Sequence, residues 1–257
     1  MNLVLISSNI RFDNPEDGAN AWSYRRDLLK DILLSHDPHI IATQEGRKNQ
    51  LKDFAGLLNH FEIIDNHRDW INERMYPSFF IKKNNFNVLS SNDLWLSETP
   101  HLAGSFSFGS AFPRLMTWMH VRPHHTNQDL LIVNTHLDHI QPHTRMEQTK
   151  VLTQEIIKIK NQNSKLIIMG DFNDSPQSDI RDYLNKSFPD LNDSWGLHNK
   201  AEESSHHSFR GENLNGSRID WILADKGLTI EECFLEKRSV DGKYPSDHFP
   251  VICKIKL

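Results

Sequence analysis

No stretch of this sequence stays apolar for long, and none approaches the roughly 18 residues that a membrane span requires. The amino terminus, Met1-Asn2 followed by a short apolar run, lacks the basic n-region and long h-region of a secretory leader, so a cytoplasmic location is expected. Cysteine is scarce. Cys233 and Cys253 are the two in the chain, and neither sits in a paired metal-type spacing, so both read as structural or free thiols rather than a disulfide framework. Glycine and proline, at 11 each in 257 residues, are too few for a collagenous or low-complexity chain. An excess of basic charge is also missing: 29 Lys and Arg against 34 Asp and Glu leave −5, which disfavours a protein that coats a polyanion. A nuclease stays open, because a bound divalent cation supplies positive charge locally.

Five short apolar segments run directly into polar residues of the kind that bind metal and phosphate. Leu3 to Ile6 leads to Asn9, Leu130 to Val133 leads to Asn134, Thr135 and His136, and Leu166 to Met169 leads to Gly170, Asp171 and Asn173. Ile219 to Leu223 contains Asp220, and Ser246 to Val251 contains Asp247 and His248. A buried strand is stiff, so a group at its end is held more closely than a loop could hold it.

Between these segments the periodicity alternates. Asn20 to Ser35 and Thr144 to Lys160 carry apolar residues at helical spacing, with shorter helices expected over 51–58 and 178–185. Ile40 to Thr43 is a buried strand that delivers Gln44 and Glu45, and 61–121 reads as several sheet strands punctuated by Asn, Ser, Gly and Pro. Asn192 to Asn215 reads as loop, followed by two final strands around Asp220 and Asp247. No linker divides the chain, which predicts one domain over 1–257 made of two similar halves that meet near 122–129.

The residue types fit phosphoryl chemistry. Asn9 and Glu45 offer oxygen to a hard cation such as Mg²⁺, which uses one or two carboxylates with water and phosphate oxygens. In Gly170-Asp171-Phe172-Asn173 the glycine lets the backbone approach a ligand, Asp171 can take a proton from water and Asn173 can donate to a phosphoryl oxygen; alone, the tetrapeptide also reads as a turn. Adjacent residues do not usually face each other, so the partner that orients His248 is expected to be Asp220 rather than Asp247; a carboxylate behind an imidazole favours its cationic form. His136 is a second imidazole. Its zinc-type pairing with His139 is disfavoured by i, i+3 spacing in a strand. Five other histidines, His60, His67, His124, His125 and His198, read as solvated.

Taken together, S-S-N-I (7–10), Q-E (44–45), N-T-H-L-D-H (134–139), G-D-F-N (170–173), R-I-D-W-I (218–222) and S-D-H-F-P-V (246–251) resemble the endonuclease/exonuclease/phosphatase superfamily, in that family's order and over almost the whole chain. Its members include pancreatic deoxyribonuclease I, apurinic endonucleases, inositol polyphosphate phosphatases and neutral sphingomyelinases. The resemblance implies a four-layer α/β sandwich, two mixed sheets face to face with helices outside, and a site at one end. It also implies that Asn9 and Glu45 hold Mg²⁺ or Mn²⁺ with support from Asp247, that Asp171 activates water, that Asn173 binds phosphate, that Asp220 orients His248, and that His136 is the second site histidine. The segments 94–100 and 113–118 look like a bacterial subgroup related to carbon-catabolite-repressor-type deadenylases; there Arg114 becomes a phosphate contact, Tyr76 a site tyrosine, with a packing role as its alternative, and His207 a substrate-side residue. Relatives often place a glutamate just before that tyrosine to back the T-H histidine. This chain has Met75 there and Glu73 two residues earlier, which leaves the orientation of His136 open.

The expected activity is metal-dependent hydrolysis of a phosphodiester by in-line attack of water. With no Lys/Arg stripe, a short single-stranded or 3′-terminal nucleic acid or a nucleotide suits the chain better than long duplex. The alternatives are a phosphatase or phosphodiesterase for inositol phosphates, phospholipids or small nucleotides, and a non-catalytic binding module on the same scaffold. No protein partner can be inferred.

Overall fold

The computed structural model describes residues 1–198 and 200–257. In chain order its main elements are β1 (Asn2–Asn9), α1 (Trp22–Leu34), β2 (Ile40–Gln44), α2 (Lys48–Leu57), β3 (Phe61–Ile63), β4 (Ser78–Lys82), β5 (Phe86–Trp95), β6 (Leu115–Pro123), β7 (Leu130–His136), α3 (Pro142–Ile159), β8 (Lys165–Asp171), α4 (Asp179–Ser187), β9 (Leu191–Asp193), β10 (Asp220–Asp225), β11 (Thr229–Leu235) and β12 (Val251–Lys256). They build two six-stranded mixed sheets, ordered β11-β12-β1-β2-β4-β3 and β5-β6-β7-β8-β10-β9. The fold is the expected four-layer α/β sandwich.

Three apolar clusters fill the three spaces between four layers. Leu3, Leu5, Phe79 and Ile81 of the first sheet meet Ile132, Ile167, Met169 and Ile222 of the second. Ile6, Ile41 and Phe80 point the other way, under Leu29 and Leu33 of α1 and Phe54 of α2. Leu131, Val133, Ile168 and Leu223 likewise lie under Leu152 and Ile156 of α3 and Ile180 and Leu184 of α4. Strands covered on both faces must be apolar at every position, and this is why their sequences are unbroken runs rather than alternations.

Topology brings the polar strand ends to one edge. β1 and β2 are parallel neighbours joined through α1, and β7 and β8 are parallel neighbours joined through α3, so Asn9, Gln44, His136 and Asp171 end at the same rim. β12 and β10 run antiparallel to β1 and β8, so they begin at that rim, where Asp220 and the Asp247-His248 pair lie. Just below it, Gln44 Nε2 donates to Asn134 Oδ1 at 2.8 Å, and Asn134 Nδ2 donates to the carbonyls of Thr43 (2.9 Å) and Ser78 (3.1 Å). These bonds lock the two sheets in register directly beneath the site.

Two expectations about organisation need correction. The seam expected near 122–129 is a hairpin turn between β6 and β7, which pair within the second sheet; the chain changes sheet between β4 and β5 and again between β10 and β11. β11 was not among the two expected final strands. Its Glu231-Glu232 pair coincides with a register shift between Ile230 and Glu232, and the extra residue breaks the period-two signal. Cys233 and Cys253 are free, buried and directly opposite each other on β11 and β12. His60 and His125 are exposed, but His67 is not solvated: its Nδ1 is 2.9 Å from Ser91 Oγ and its Nε2 is 3.2 Å from Asp93 Oδ1. The expectation for the His198 side chain lies outside the described residues.

Candidate active site

A cleft of about 260 Å³ opens at the rim, lined among others by Glu45, Arg114, His136, Asp171, Asn173, Asp247 and His248. Behind this lining lies the buried Asn9 amide. Asn9 Nδ2 donates to Glu45 Oε1 and to Asp171 Oδ2, each at 3.0 Å, joining a carboxylate of the first sheet to one of the second. Glu45 Oε2 accepts from the Phe12 N–H at 3.1 Å. Glu45 and Asn173 both hold left-handed backbone, φ 68° and 51°, a conformation costly for side chains other than glycine that is found where function requires it. Gly170 has a different role from the one its sequence suggested. At φ 141°, a Cβ there would lie 2.1 Å from the Thr135 carbonyl, so the glycine lets β8 close on β7 rather than on a ligand.

Asp171 is buried, and burial together with the nearby charge of Asp220 pushes its carboxyl up to about 7, against the pull of His248, the Asn9 amide and the Asn173 N–H. Asn173 Nδ2 donates to the Leu137 carbonyl at 3.0 Å. Asp220 Oδ2 lies 2.8 Å from His248 Nδ1, while its Oδ1 has no hydrogen-bond partner. Burial opposes charge on His248, but Asp220, then Asp171 and Asp247, overcome it and hold the imidazole well above its ordinary value. With Nδ1 turned to Asp220, the other edge of the ring faces the cleft, and Nε2 is 3.9 Å from Asp171 Oδ2.

His136 is oriented by a cation rather than a glutamate. Arg114 Nη1 donates to His136 Nδ1 at 2.9 Å, which places the His136 proton on Nε2, 3.4 Å from Asp171 Oδ2. Burial, then the Arg114 charge, holds this imidazole well below its usual value, so it is neutral. Glu73 instead pairs with Arg47 at 3.1 Å. Arg114 Nη2 also reaches His139 Nδ1 at 3.3 Å, so a guanidinium occupies the space that a zinc ion shared by His136 and His139 would need. Arg114 is buried with no carboxylate in contact, and its Nε has no partner.

Two expected substrate-side residues lie elsewhere. Tyr76 lines a different cavity, where its hydroxyl accepts from the Ile71 N–H at 2.8 Å. His207 faces the core: its ring stacks on Phe249 at 3.9 Å, and burial lowers its pKa to about 4. The residue that reaches the cleft is its neighbour His206, which pairs with His248 across a short antiparallel bridge. Side chains alternate faces along an extended segment, so an offset of one residue exchanges cleft for core. Sequence reading also missed Arg25. Its buried guanidinium donates to the carbonyls of Ile10 (Nη1), Arg11 (2.6 Å) and Pro245 (3.1 Å), tying the loop after Asn9 to the loop before Asp247. A lone arginine in an amphipathic helix gives no sign of that.

The sequence profile of the Endonuclease/Exonuclease/phosphatase family matches residues 6–248. The chain belongs to that family. It is similar to the endonuclease/exonuclease/phosphatase of Bacteroides vulgatus, with 25% identity, TM-score 0.90, and coverage of 100% of this chain and 99% of that one. It is also similar to the mannosyl-6-phosphatase of Bacteroides thetaiotaomicron, with 26% identity, TM-score 0.89, and coverage of 99% and 100%. Protein L388 of Acanthamoeba polyphaga mimivirus, which carries no functional description, is 25% identical over 250 residues, 90% of this chain and 91% of that protein. Members of this family are in general hydrolases of phosphoesters, and no helix among the described residues is long and apolar enough to cross a membrane.

Proposed function

We propose that this family member is a divalent-cation-dependent phosphoester hydrolase in which an activated water attacks phosphorus in line with the leaving oxygen. The observation that carries the reading is the Asn9 junction, where carboxylates from both sheets converge at 3.0 Å on one amide. Glu45, Asp171 and Asp247 line the cleft without a Lys or Arg ion pair, a concentration of negative charge that fits a bound hard cation. Glu45 and Asp247, with Asn9, would hold Mg²⁺ or Mn²⁺; when bound, the ion polarises the phosphoryl group and stabilises the leaving oxygen.

The protein's own groups do the rest. Asp171 accepts the proton of the attacking water, held in place by Asn9 and the Asn173 N–H. His248, kept cationic by Asp220, donates from Nε2 to the oxygen that gains charge in the transition state. Asn173 binds a phosphoryl oxygen through its side-chain amide. Arg114, unneutralised by any contacting carboxylate, supplies fixed positive charge for the phosphate, and it also holds His136 neutral with its proton toward Asp171. We take residues 1–257 to work as one domain, in the cytoplasm.

The leaving group most consistent with the cleft and the −5 charge is a nucleotide or the end of a short single-stranded nucleic acid. A second reading, a phosphomonoester of a small sugar-like molecule, is favoured by 26% identity across the full chain to a mannosyl-6-phosphatase and by Arg114, whose free charge suits a dianionic phosphate. Hydrolysis of bis-p-nitrophenyl phosphate and p-nitrophenyl phosphate with Mg²⁺ or Mn²⁺ tests the class. Labelled poly(A) and hexose 6-phosphates then separate the two readings. Activity that survives chelation, or that persists in both Asp171→Ala and His248→Ala, would overturn the assignment.

A further inference from the structure

His206 lines the cleft and has no part in the proposed phosphoester hydrolysis. His206 lies opposite His248 with ring centroids 4.7 Å apart, and its Nε2 is 3.9 Å from Asp247 Oδ2. Ligand atoms of His206, Asp247 and His248 all lie within 4.8 Å of one another. The donor set is two imidazole nitrogens and one carboxylate oxygen, and it differs in kind from the all-oxygen set of Asn9, Glu45 and Asp247. Mg²⁺ takes oxygen, whereas imidazole suits Zn²⁺ and its neighbours in the transition series. Asp220, bonded to His248 Nδ1 at 2.8 Å, gives the carboxylate backing that metal-bound histidines typically carry, and it leaves Nε2 on the cleft side. The His206 side chain is 37% exposed, so it has room to close on an ion from the solvent side.

We propose that His206, Asp247 and His248 form a second cation site, selective for a nitrogen-preferring divalent ion of the Zn²⁺ class, whose occupancy switches the hydrolytic site off. The ion would share Asp247 with the hard cation and take the His248 Nε2 that otherwise faces the phosphoryl group, releasing to solvent the proton that this nitrogen donates in hydrolysis. The switching half rests on the phosphoester reading; the binding half does not. The other group facing His206 Nε2 is the Ser208 hydroxyl at 3.4 Å, which offers an ion no charge and does not compete for it.

The test uses the full chain in saturating Mg²⁺, titrated with Co²⁺ by visible d–d absorption and with Zn²⁺ by calorimetry. One equivalent of Co²⁺ should bind and be displaced by Zn²⁺. His206→Phe should weaken both by at least roughly 10- to 100-fold, the loss typical when even an outer-shell partner of a metal ligand is removed. The Zn²⁺ concentration that halves hydrolysis should rise by the same factor. His206→Gln, with melting temperatures measured alongside, covers the case in which the phenylalanine variant does not fold. Wild-type Co²⁺ affinity in the folded variant overturns the site. Binding that depends on His206 but leaves hydrolysis untouched by Zn²⁺ overturns the switch alone. A chain that hydrolyses no phosphoester at all refutes the functional reading, while the Co²⁺ titration still decides the site.

Discussion

Two buried polar clusters sit on either side of Asn134, built from the same residue types and finished differently. In one, Arg68 uses all three of its nitrogens: Nε and Nη2 grip Asp93 at 2.6 and 2.9 Å, Nη1 donates to Ser78 Oγ at 2.8 Å, and Nη2 also donates to the Pro77 carbonyl and Thr117 Oγ1. His67 lies beside Asp93, its Nε2 3.2 Å from Oδ1 but outside hydrogen-bond geometry, a single loose end in a set whose arginine is fully engaged, and the Tyr76 ring packs 4.5 Å from the Arg68 guanidinium. In the other, Arg114 meets two imidazoles and no carboxylate, Asp171 is crowded by Asp220, and both Arg114 Nε and Asp220 Oδ1 are unpartnered. A satisfied network stabilises a fold; a buried network left unsatisfied costs stability and is kept where a ligand completes it. The electrostatics separate them in the same way. Burial raises both aspartates, but Arg68 brings Asp93 down to about 2, whereas Asp171 stays near 7.

The largest effect that would break this contrast concerns Asp171. Asp171→Asn should lower the hydrolytic rate by about 10³- to 10⁴-fold, the upper range for loss of a general base. It should leave the melting temperature unchanged or raise it, because it removes a buried charge that Asp220 repels. Loss of both activity and stability would mean that the two clusters do not differ as described.

The mirror experiment is Asp93→Asn. Breaking a buried ion pair from one side should cost about 3–5 kcal/mol in urea unfolding, with kcat/KM preserved where the protein is folded. The pH dependence follows the same sign. Asp93 has a folded value of about 2, depressed from 3.8, so its contribution is fully present above the unfolded value and is lost as pH falls from near 4 through 2. That contribution is roughly 2 kcal/mol and should be missing from acid unfolding of Asp93→Asn.

These two clusters also show how much could be read from sequence. Strand ends that deliver Asn9, Glu45, His136, Asp171 and His248 were legible because buried strands are apolar runs and the polar residue that ends each run stands out. The Asp220 and His248 contact could be reasoned from the rule that neighbours in sequence do not face each other. The Arg68 cluster could not. Its members come from the 67–68 loop, β4, β5 and β6, and no spacing links them. His206 was missed in favour of His207 because the bridge to His248 fixes which of two adjacent imidazoles faces the cleft, and that register depends on a tertiary contact. The seam expected at 122–129 failed for a related reason: a turn signal marks a hairpin and a change of sheet alike.

Arg114→Lys sharpens the comparison at smaller scale. Lysine keeps the charge but cannot address His136 and His139 together, so His136 loses the donor that fixes its proton on Nε2. About a 10²-fold fall in kcat/KM is expected, the order seen when one preorganised donor is removed. A loss close to that of Arg114→Ala would show that the fork geometry matters as much as the charge, whereas near wild-type activity would reduce Arg114 to a point charge.

The smallest expected effect belongs to Tyr76, the residue whose sequence position pointed to the cleft and whose side chain joined the satisfied cluster instead. Its ring is wedged between Trp70 and Trp95, with centroids at 4.9 and 6.2 Å, and its hydroxyl accepts from Ile71 and faces the Asp69 carbonyl at 3.4 Å. Tyr76→Phe keeps the packing and removes only the hydroxyl, so it should cost about 1 kcal/mol of stability, the usual net value of one hydrogen bond, with kcat and KM unchanged. A fall in kcat with stability intact would place the hydroxyl in contact with substrate. The 69–76 loop would then have to rearrange on binding, and the Arg68 cluster would be part of the working site rather than its scaffold.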